Sequence, residues 1–326
     1  MKSDDSHHPL LRSLLEVADI DRLSAVDFGP GDVLLREGDQ GDFFLIIMEG
    51  DADVYRADEL LATVHAGSVL GELSLLTGTA RTSSVVARTA VCARRGSADD
   101  FAELLESDPV REHFANLAAS RLASNVTAVS FTTAAGFAGE LRPLLPSDRL
   151  EYMDLLSKLS PESRRLRFFT ASLPSEKLIN YLLGIDFINH FAWVVLDRST
   201  SPHQGCGVAR LIRSDPDPWR AEAAFAVIDE HQGKGIGSVS LGAIGVAARA
   251  IGITTVTGQI LDENAAMRHV FQKAKPKWTR PDRGILEAEM STDVICSLLP
   301  DDVLLALTRA VRGIGLAAEI GLNIRG

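Results

Sequence analysis

Two short stretches carry residue types that suit chemistry on phosphate-bearing ligands. The first, HQGKGIGSV at 231–239, has glycines at every second position from 233 to 237. Glycine lets backbone N–H groups approach a phosphate closely, and the start of a helix favours an anion. The second, GELSLLTGTARTSSV at 71–85, contains Glu72 and Arg81 among small and apolar neighbours. An arginine fork suits a phosphate, and a carboxylate can accept a hydrogen bond from a sugar hydroxyl.

Three kinds of phosphate-binding loop compete for the first stretch. A P-loop needs Ser or Thr after its lysine, but Gly235 follows Lys234. A dinucleotide fingerprint has the spacing G-x-G-x-x-G and a second βαβ unit, whereas this stretch reads G-x-G-x-G and no such unit follows. The remaining pattern is Q-x-x-G-x-G, placed between the strand AEAAFAVID and the helix SVSLGAIGVAARAI. It favours a pyrophosphate bound by backbone N–H groups at the start of that helix.

Composition is typical of a soluble globular protein and argues against several other classes. The 326 residues suffice for two domains, and 46% hydrophobic with 24% charged residues is ordinary. A net charge of −11 argues against nucleic acid as a partner, and no apolar run could span a membrane. The polar N-terminus does not resemble a signal peptide. Cys92, Cys206 and Cys296 lack metal-type spacing, so we expect a cytoplasmic protein without a metal site.

The two stretches lie in parts of the chain with different hydrophobic patterns. Short apolar pieces between glycines over 28–91 predict an antiparallel β-barrel or jelly roll, and 99–126 has helical periodicity. Beyond residue 140, helical and strand patterns alternate, which predicts an α/β domain. The predicted organisation is a β-rich domain with flanking helices at 1–128, a linker at 129–140, an α/β domain at 141–292 and a helical segment at 293–326.

The second half resembles the GNAT N-acetyltransferases over about residues 140–292. The resemblance rests on LRPLLPSDR at 141–149, on the glycine loop in its strand-to-helix context, and on DENAAMRHVFQKA at 262–274. It implies that the loop binds acetyl-CoA and that an asparagine lies beside the arm of the cofactor. The cofactor-binding residues implied by the resemblance are Phe225, Ala226, Val227, Gln232, Gly233, Lys234, Gly235, Ile236, Gly237, Ser238, Asn264 and Arg268.

Acetyl transfer to an alkyl ammonium needs a general base, because a group with a pKa of ~10.4 must first lose a proton. The GNAT resemblance implies that Glu222, on the strand before the loop, is this base. Asp229 and Glu230 are weaker candidates, since a carboxylate beside the pyrophosphate would repel it. A backbone N–H near Val227 would stabilise the oxyanion. No tyrosine follows Asn264, so the family's usual general acid has no counterpart there.

The first half resembles cyclic-nucleotide-binding domains over roughly residues 10–125. The stretch GELSLLTGTARTSSV is similar to their phosphate-binding cassette, and GDVLLREGDQGDFFLIIMEGDADVY is similar to their strands. The resemblance implies that Arg81 binds the cyclic phosphate and that Glu72 binds the ribose. Thr82 is compatible with cGMP as well as cAMP. The nucleotide-binding residues implied by the resemblance are Gly71, Glu72, Leu73, Ser74, Arg81, Thr82 and Ser83.

The combination of the two halves resembles the actinobacterial cAMP-regulated protein lysine acetyltransferases of the Pat type. This resemblance favours cAMP as allosteric ligand, acetyl-CoA as cosubstrate, and direct transfer to lysines of proteins such as acyl-CoA synthetases. It also implies a lid within residues 144–183, a range without a histidine that could imitate a substrate amine. Two other functions stay open: an N-acyltransferase of a small amine, and a cyclic-nucleotide sensor whose acetyltransferase half is inactive.

Overall fold

The computed structural model describes residues 20–322, and the chain divides into two compact units. Among the described residues, one unit comprises 20–118 and 320–322, and the other comprises 119–319. The division falls inside a long helix, Asp108–Ser124, which begins in the first unit and ends in the second. The predicted domain boundaries at 128, 140 and 292 stay predictions.

The first unit is built from two antiparallel sheets and short helices. Its elements are β1 Ser24–Phe28, β2 Val33–Leu35, β3 Phe43–Glu49, β4 Ala52–Arg56, β5 Glu59–Val64, β6 Val69–Leu70, α1 Glu72–Thr77, β7 Ser84–Ala87, β8 Val91–Ser97, α2 Ala98–Leu104 and α3 Asp108–Ser124. The strand orders are β1-β8-β3-β6 and β2-β7-β4-β5. Leu34, Leu45, Ile47 and Val85 come from both sheets and lie in one buried cluster, which packs the sheets face to face.

The two sheets form a jelly-roll-like sandwich, and the alternative of a closed barrel is wrong. Consecutive strands β3 and β4 belong to different sheets, and the chain turns between them at Gly50. Gly50 has φ 90°, and a Cβ there would lie 2.1 Å from the carbonyl oxygen of Ala90. Only glycine fits this turn, which directs the chain from one sheet into the other.

The second unit contains one eight-stranded sheet with helices. Its elements are β9 Val129–Thr132, β10 Ala138–Pro143, α4 Arg149–Ser157, α5 Pro161–Phe168, α6 Glu176–Leu183, β11 His190–Asp197, β12 Gln204–Arg213, β13 Arg220–Val227, α7 Ile236–Ala250, β14 Thr255–Leu261, α8 Ala265–Gln272, β15 Lys277–Asp282, β16 Ile285–Ser291, α9 Thr292–Cys296 and α10 Asp301–Gly321. The strand order is β15-β16-β14-β13-β12-β11-β10-β9. Every pairing is antiparallel except that of β13 with β14.

The stretch 129–140, which the sequence predicts as a linker, contributes to the eight-stranded sheet. It forms β9 and the first part of β10, which pair from Ala138 with Thr132 to Leu141 with Val129. The intervening turn closes with a hydrogen bond from the Gly136 N–H to the Thr133 carbonyl oxygen at 2.9 Å. Small residues in TTAAGFAGE suggest a linker when read alone, but the chain beside them alternates buried and accessible positions as a strand does.

The helix that follows the glycine loop, α7, is almost wholly buried, as its run of small and apolar residues predicts. The indole N–H of Trp193 on β11 donates to the Ala243 carbonyl oxygen at 2.9 Å. Gly245 permits close packing on α9, since a Cβ there would lie 2.6 Å from the Ile295 side chain. These contacts fix α7 on the sheet, so that its first turn lies next to the end of β13.

Candidate functional site

The glycine loop joins the end of β13 to the start of α7. Gly233 and Gly235 have φ of 74° and 85°, a region that favours glycine. A Cβ on Gly235 would also lie 3.2 Å from the Cβ of Thr133. No side chain caps the first turn of α7. The Ser238 and Val239 N–H groups donate to the Gly235 carbonyl oxygen, so those of Ile236 and Gly237 are the ones available to an anion. The loop therefore has the backbone that a phosphate-binding turn requires.

The sheet opens beside this loop, between β13 and β14. The two strands pair at three positions only, the last joining Glu222 to Thr257, although they continue to Val227 and Leu261. Beyond Glu222, the edge of β13 that faces β14 has no partner strand. Such an edge presents backbone groups that an extended ligand can bind. The opening leads directly to the glycine loop, as binding of a long cofactor arm and its phosphates would require.

Glu222 lies at the point where the opening begins. It is exposed, on the more accessible face of β13, while its neighbours Ala221 and Ala223 are buried. The protein groups around the carboxylate still desolvate it in part, which raises its pKa. The charge of Arg167 lowers that pKa, the charge of Glu287 raises it, and the net shift is upward. A carboxylate with a raised pKa is a better proton acceptor at neutral pH. The position and the electrostatics both suit a general base.

Asn264 and Arg268 lie on the other side of the opening, at the start of α8. The side-chain oxygen of Asn264 accepts a hydrogen bond from the Met267 N–H at 3.0 Å and caps the helix. Arg268 donates to the carbonyl oxygen of Asp262, and its buried Nε has no hydrogen-bond partner. The structure brings both predicted residues to the edge of the opening.

The other predicted cofactor-binding residues differ in what they present. Phe225, Ala226 and Ile236 are buried, and the ring of Phe225 packs on Phe271 with centroids 5.9 Å apart. The side-chain amide of Gln232 donates to the Val227 carbonyl oxygen at 3.0 Å. Their side chains therefore maintain the shape of the loop, and their backbone groups remain the candidate ligand contacts. That all these residues bind the cofactor stays a prediction.

Helix α5 lies across the opening and contacts both of its sides. Asp229, at the end of β13, accepts hydrogen bonds from Ser160 N at 2.9 Å, Ser160 Oγ at 2.6 Å and Ser163 Oγ at 2.9 Å. On the β14 side, Arg165 forms an ion pair with Glu263. Asp229 thus holds α5 in place. This structural role explains why a carboxylate lies so close to the loop, and no catalytic role is needed.

Arg167 on α5 places a positive charge near the candidate base. Burial lowers the pKa of Arg167 to about 10, with a further contribution from Arg210, while Tyr152 and Glu222 raise it. The same charge lowers the pKa of Glu222. The acceptor amine must also approach Glu222. A cationic acceptor would therefore compete with Arg167 for the position beside this carboxylate.

Helices α4 and α6 are held to the sheet by the buried guanidinium of Arg210. Arg210 donates to the Leu182 carbonyl oxygen and, at 3.1 Å, to the hydroxyl of Tyr152, and it contacts His190. Burial and the Arg210 charge lower the pKa of His190 to about 4. His190 therefore stays neutral at physiological pH and packs under the helices, as its position before a buried strand suggests.

The second predicted site, the cassette at 71–85, is fully assembled in the first unit. Gly71 begins α1 with φ 84°, and a Cβ there would lie 2.5 Å from Arg81 Nη1. Arg81 donates to the Gly71 carbonyl oxygen at 2.8 Å, to Ser74 Oγ at 2.7 Å and to the Phe43 carbonyl oxygen at 2.6 Å. Burial lowers the pKa of Arg81, which Asp42, Glu72 and Asp39 oppose. The guanidinium thus stays beside the N–H groups of α1.

The remaining cassette residues surround this arginine. Glu72 is completely buried and Leu73 nearly so. Arg56 on β4 donates to the carbonyl oxygen of Thr82 at 3.2 Å and to the hydroxyl of Ser83 at 3.4 Å. Burial of a carboxylate and a guanidinium side by side has a large desolvation cost unless partners compensate. The arrangement is therefore typical of a ligand site with a fixed charge for an anion.

Four residues that position these sites were not identified from the sequence. Thr133, in the supposed linker, donates to the carbonyl oxygen of Lys234 at 2.7 Å and supports the loop. Neither resemblance implies a role for Ser163, Arg167 or Lys273. The one local signal was the Ser-Pro start of α5, which is typical of a helix N-terminus. Nothing local indicates where that helix packs.

Comparison with known proteins identifies both domain types. A model of the cyclic nucleotide-binding domain matches residues 25–108, and a model of the acetyltransferase (GNAT) domain matches residues 140–275. Acetyltransferase Pat from Mycolicibacterium smegmatis is 31% identical over 265 residues, which cover 80% of this chain and 79% of that protein. This chain belongs to the Pat family of acetyltransferases. The predicted order of a cyclic-nucleotide-binding domain before a GNAT domain is confirmed, and acetyl-CoA and a cyclic nucleotide are the ligands of such domains.

Two further relatives of this Pat-family chain cover different lengths. The cAMP-dependent protein kinase regulatory subunit of Hypocrea atroviridis is 37% identical over 71 residues, 22% of this chain and 15% of that protein. A solved structure of a cAMP-binding acyltransferase from Mycobacterium smegmatis is 28% identical, covers 92% of both chains and has a TM-score of 0.44.

Residues 20–322 contain neither a membrane-spanning helix nor a cluster of metal-ligating side chains. Within that range no helix is both long and apolar enough to cross a membrane. The same residues contain no group of three or more His, Cys, Asp or Glu side chains arranged to hold a metal ion. Cys92 is exposed, Cys206 and Cys296 are buried, and all three are free thiols.

Proposed function

We propose that this Pat-family acetyltransferase is a cAMP-regulated protein lysine N-acetyltransferase that uses Glu222 as general base. One observation carries the proposal: Glu222 lies where β13 and β14 separate, and its surroundings raise its pKa. The base thus lies next to the unpaired part of the β13 edge, along which an acyl-CoA arm could bind. Direct transfer follows, because donor and acceptor would meet at one opening.

The reaction needs four steps of bond change. Glu222 accepts a proton from the lysine ammonium, and the neutral amine forms a bond to the thioester carbonyl carbon. The carbonyl oxygen gains negative charge, which a backbone N–H near Val227 on the unpaired edge would stabilise. The carbon–sulfur bond then breaks and the CoA thiolate leaves. The attacking nitrogen loses its second proton, the thiolate takes up one proton to become the thiol, and neutral acetyl-lysine is released.

The lid is proposed to lie within residues 144–183, with α5 as its covering helix. In this structure α5 joins the two sides of the opening through Ser163 with Asp229 and through Arg165 with Glu263. The Arg167 charge also acts on Glu222, so closure would oppose both the donor and the acceptor. A cyclic nucleotide that binds the open form more tightly would shift the population towards it.

We propose cAMP as the nucleotide and acyl-CoA synthetases among the acceptors. The kinase regulatory subunit that matches part of this chain is named as cAMP-dependent, which supports the first choice. The acceptor class rests on the Pat resemblance and on the exposed position of Glu222 at the surface opening, which a protein-borne lysine can reach.

Transfer of labelled acetyl from acetyl-CoA to an acyl-CoA synthetase, with and without cAMP or cGMP, tests the proposal. We expect transfer that cAMP increases more than cGMP does. The variant Glu222→Gln should lose about 10²- to 10⁴-fold in kcat/KM, the usual contribution of a general base. Glu319→Gln, on the exposed face of α10, serves as the control and should behave as wild type.

Three results would contradict parts of the proposal. Absence of transfer to any lysine-bearing protein, with retained cAMP binding, would favour the sensor alternative. Transfer to small amines alone would favour the N-acyltransferase of a small amine. Full activity of Glu222→Gln would exclude Glu222 as the base while leaving the enzyme class intact.

A further inference from the structure

Lysine 273 follows directly after α8 and contacts the first turn of α7. Its Nζ donates to Ser238 Oγ at 2.7 Å. The two helices are close at this point because position 237 is glycine, where a Cβ would lie 3.2 Å from Val270. The ammonium is thereby held next to the uncapped start of α7, on the α8 side of the glycine loop.

The lysine inside the loop is directed differently. Lys234 lines a cavity of about 270 Å³ together with Asp197, Glu230 and His231. Its charge acts on the buried thiol of Cys206 on β12. Burial raises the pKa of this thiol to about 12, and the charge of Lys234 opposes that rise. Lys234 is therefore on the β12 side of the loop, among carboxylates, and away from α8.

Lys273 has the opposite surroundings. Its side chain is exposed, and among residues 20–322 it forms no ion pair with a carboxylate. This ammonium is held by a hydroxyl beside N–H groups at the start of a helix. In that position a phosphate is a better partner for it than a protein group is. The contact with Ser238 places this charge beside the loop and leaves two of its three N–H donors for a ligand.

We infer that Lys273 is a phosphate-binding residue of the CoA site, and that it, rather than Lys234, supplies the cation there. The inference rests on the proposed use of acetyl-CoA as donor. The phosphate is either the pyrophosphate at the start of α7 or the ribose 3′-phosphate of CoA. Both present the same anionic oxygens to an ammonium, and dephospho-CoA separates them.

Calorimetric titration of the full chain with CoA, dephospho-CoA and pantetheine, at saturating cAMP, tests the inference. The variant Lys273→Met should raise the Kd for CoA by about threefold to tenfold, the range for one partly solvated charged contact. It should leave the weak binding of pantetheine unchanged, because pantetheine has no phosphate. Lys273→Arg should recover most of the affinity, since it keeps the charge.

The matched control is Lys275→Met, which removes an equal charge from an exposed lysine two positions further on. It should bind CoA as wild type does. A loss for Lys273→Met that persists with dephospho-CoA assigns the pyrophosphate, and a loss confined to CoA assigns the 3′-phosphate.

Two outcomes would overturn the inference. They are an unchanged Kd for CoA in Lys273→Met, and an equal weakening of pantetheine, which would show a structural role only. A wild-type chain that binds CoA but transfers no acetyl group would contradict the proposed function and not this inference. A wild-type chain that binds no CoA would contradict both.

Discussion

Replacement of Ser163 by alanine should weaken the attachment of α5 to the glycine loop. Ser163 Oγ donates to Asp229 Oδ1 at 2.9 Å and accepts from Gln232 Nε2 at 3.0 Å. Both partners precede α7, so the hydroxyl joins the covering helix to the candidate cofactor loop. Alanine retains the helix propensity of α5 and removes only these two contacts.

The size of the effect follows from those two hydrogen bonds. A typical intramolecular hydrogen bond contributes about 0.5–1.5 kcal/mol net, and exposure to water keeps the value towards the lower end. Together they should stabilise the closed form by about 1–2 kcal/mol, so their loss should shift the open-to-closed ratio roughly five- to thirtyfold. The remaining contacts of α5, from Ser160 to Asp229 and from Arg165 to Glu263, stay in place.

The assay compares acetyl transfer by wild type and Ser163→Ala without nucleotide and at saturating cAMP. Without cAMP the variant should be faster by up to the same factor, and its Kd for CoA should be lower. At saturating cAMP the two proteins should have equal rates, because the open form then predominates in both.

The control is Ser157→Ala, whose hydroxyl donates to the Asp154 carbonyl oxygen within α4 and does not reach the loop. It should leave the basal rate unchanged. An unaltered basal rate and Kd in Ser163→Ala would refute the reasoning, since α5 would then not limit access to the opening. A lower rate at saturating cAMP would show instead that Ser163 serves catalysis.

Two further predictions concern the charged groups of each site. Arg81→Ala should weaken cAMP binding about 100-fold, because charge-assisted contacts to the phosphate are lost. Calorimetry measures the Kd for cAMP, with Arg88→Ala, which replaces an exposed arginine, as the control. Equal affinities of the two variants would exclude Arg81 from the site. Activity should fall as pH drops through the raised pKa of Glu222, since protonation removes the base. Arg167→Met should shift this acid limb of the pH profile to higher pH, because the guanidinium lowers the pKa of Glu222. A kcat/KM profile that is unchanged in Arg167→Met would contradict the assigned interaction.

The sequence indicated both sites because each depends on local backbone constraints. Gly71 and Gly235 have positive φ and close neighbours, so their identity shows where a loop approaches a ligand or a side chain. Glu222 was identified from the GNAT resemblance and its place on the strand before the loop, and the structure puts it at an exposed position of β13. Such features depend on residues that are close together in the chain, so they can be recognised in the amino-acid sequence.

The linker predicted at 129–140 illustrates the limit of such local patterns, because this stretch contains strand residues. A four-residue strand such as β9 has too few positions to show alternation clearly, and its glycine-containing turn is rich in small residues. The strand is stable because β10 pairs with it and Phe131 packs on Phe137, with centroids 6.1 Å apart. Pairing with a neighbour thus determined the structure where propensity did not.

The sequence by itself determined the two domain types, the two glycine-bounded loops and the placement of Glu222 before one of them. Only the tertiary structure decided what holds each loop and what covers the opening. Ser163 and Asp229 are 66 positions apart, and Thr133 and Lys234 are 101 apart. Lys273 and Ser238 likewise meet only because α8 packs on α7. Contacts between polar side chains on separate elements depend on how those elements pack, and no local period or propensity specifies that geometry.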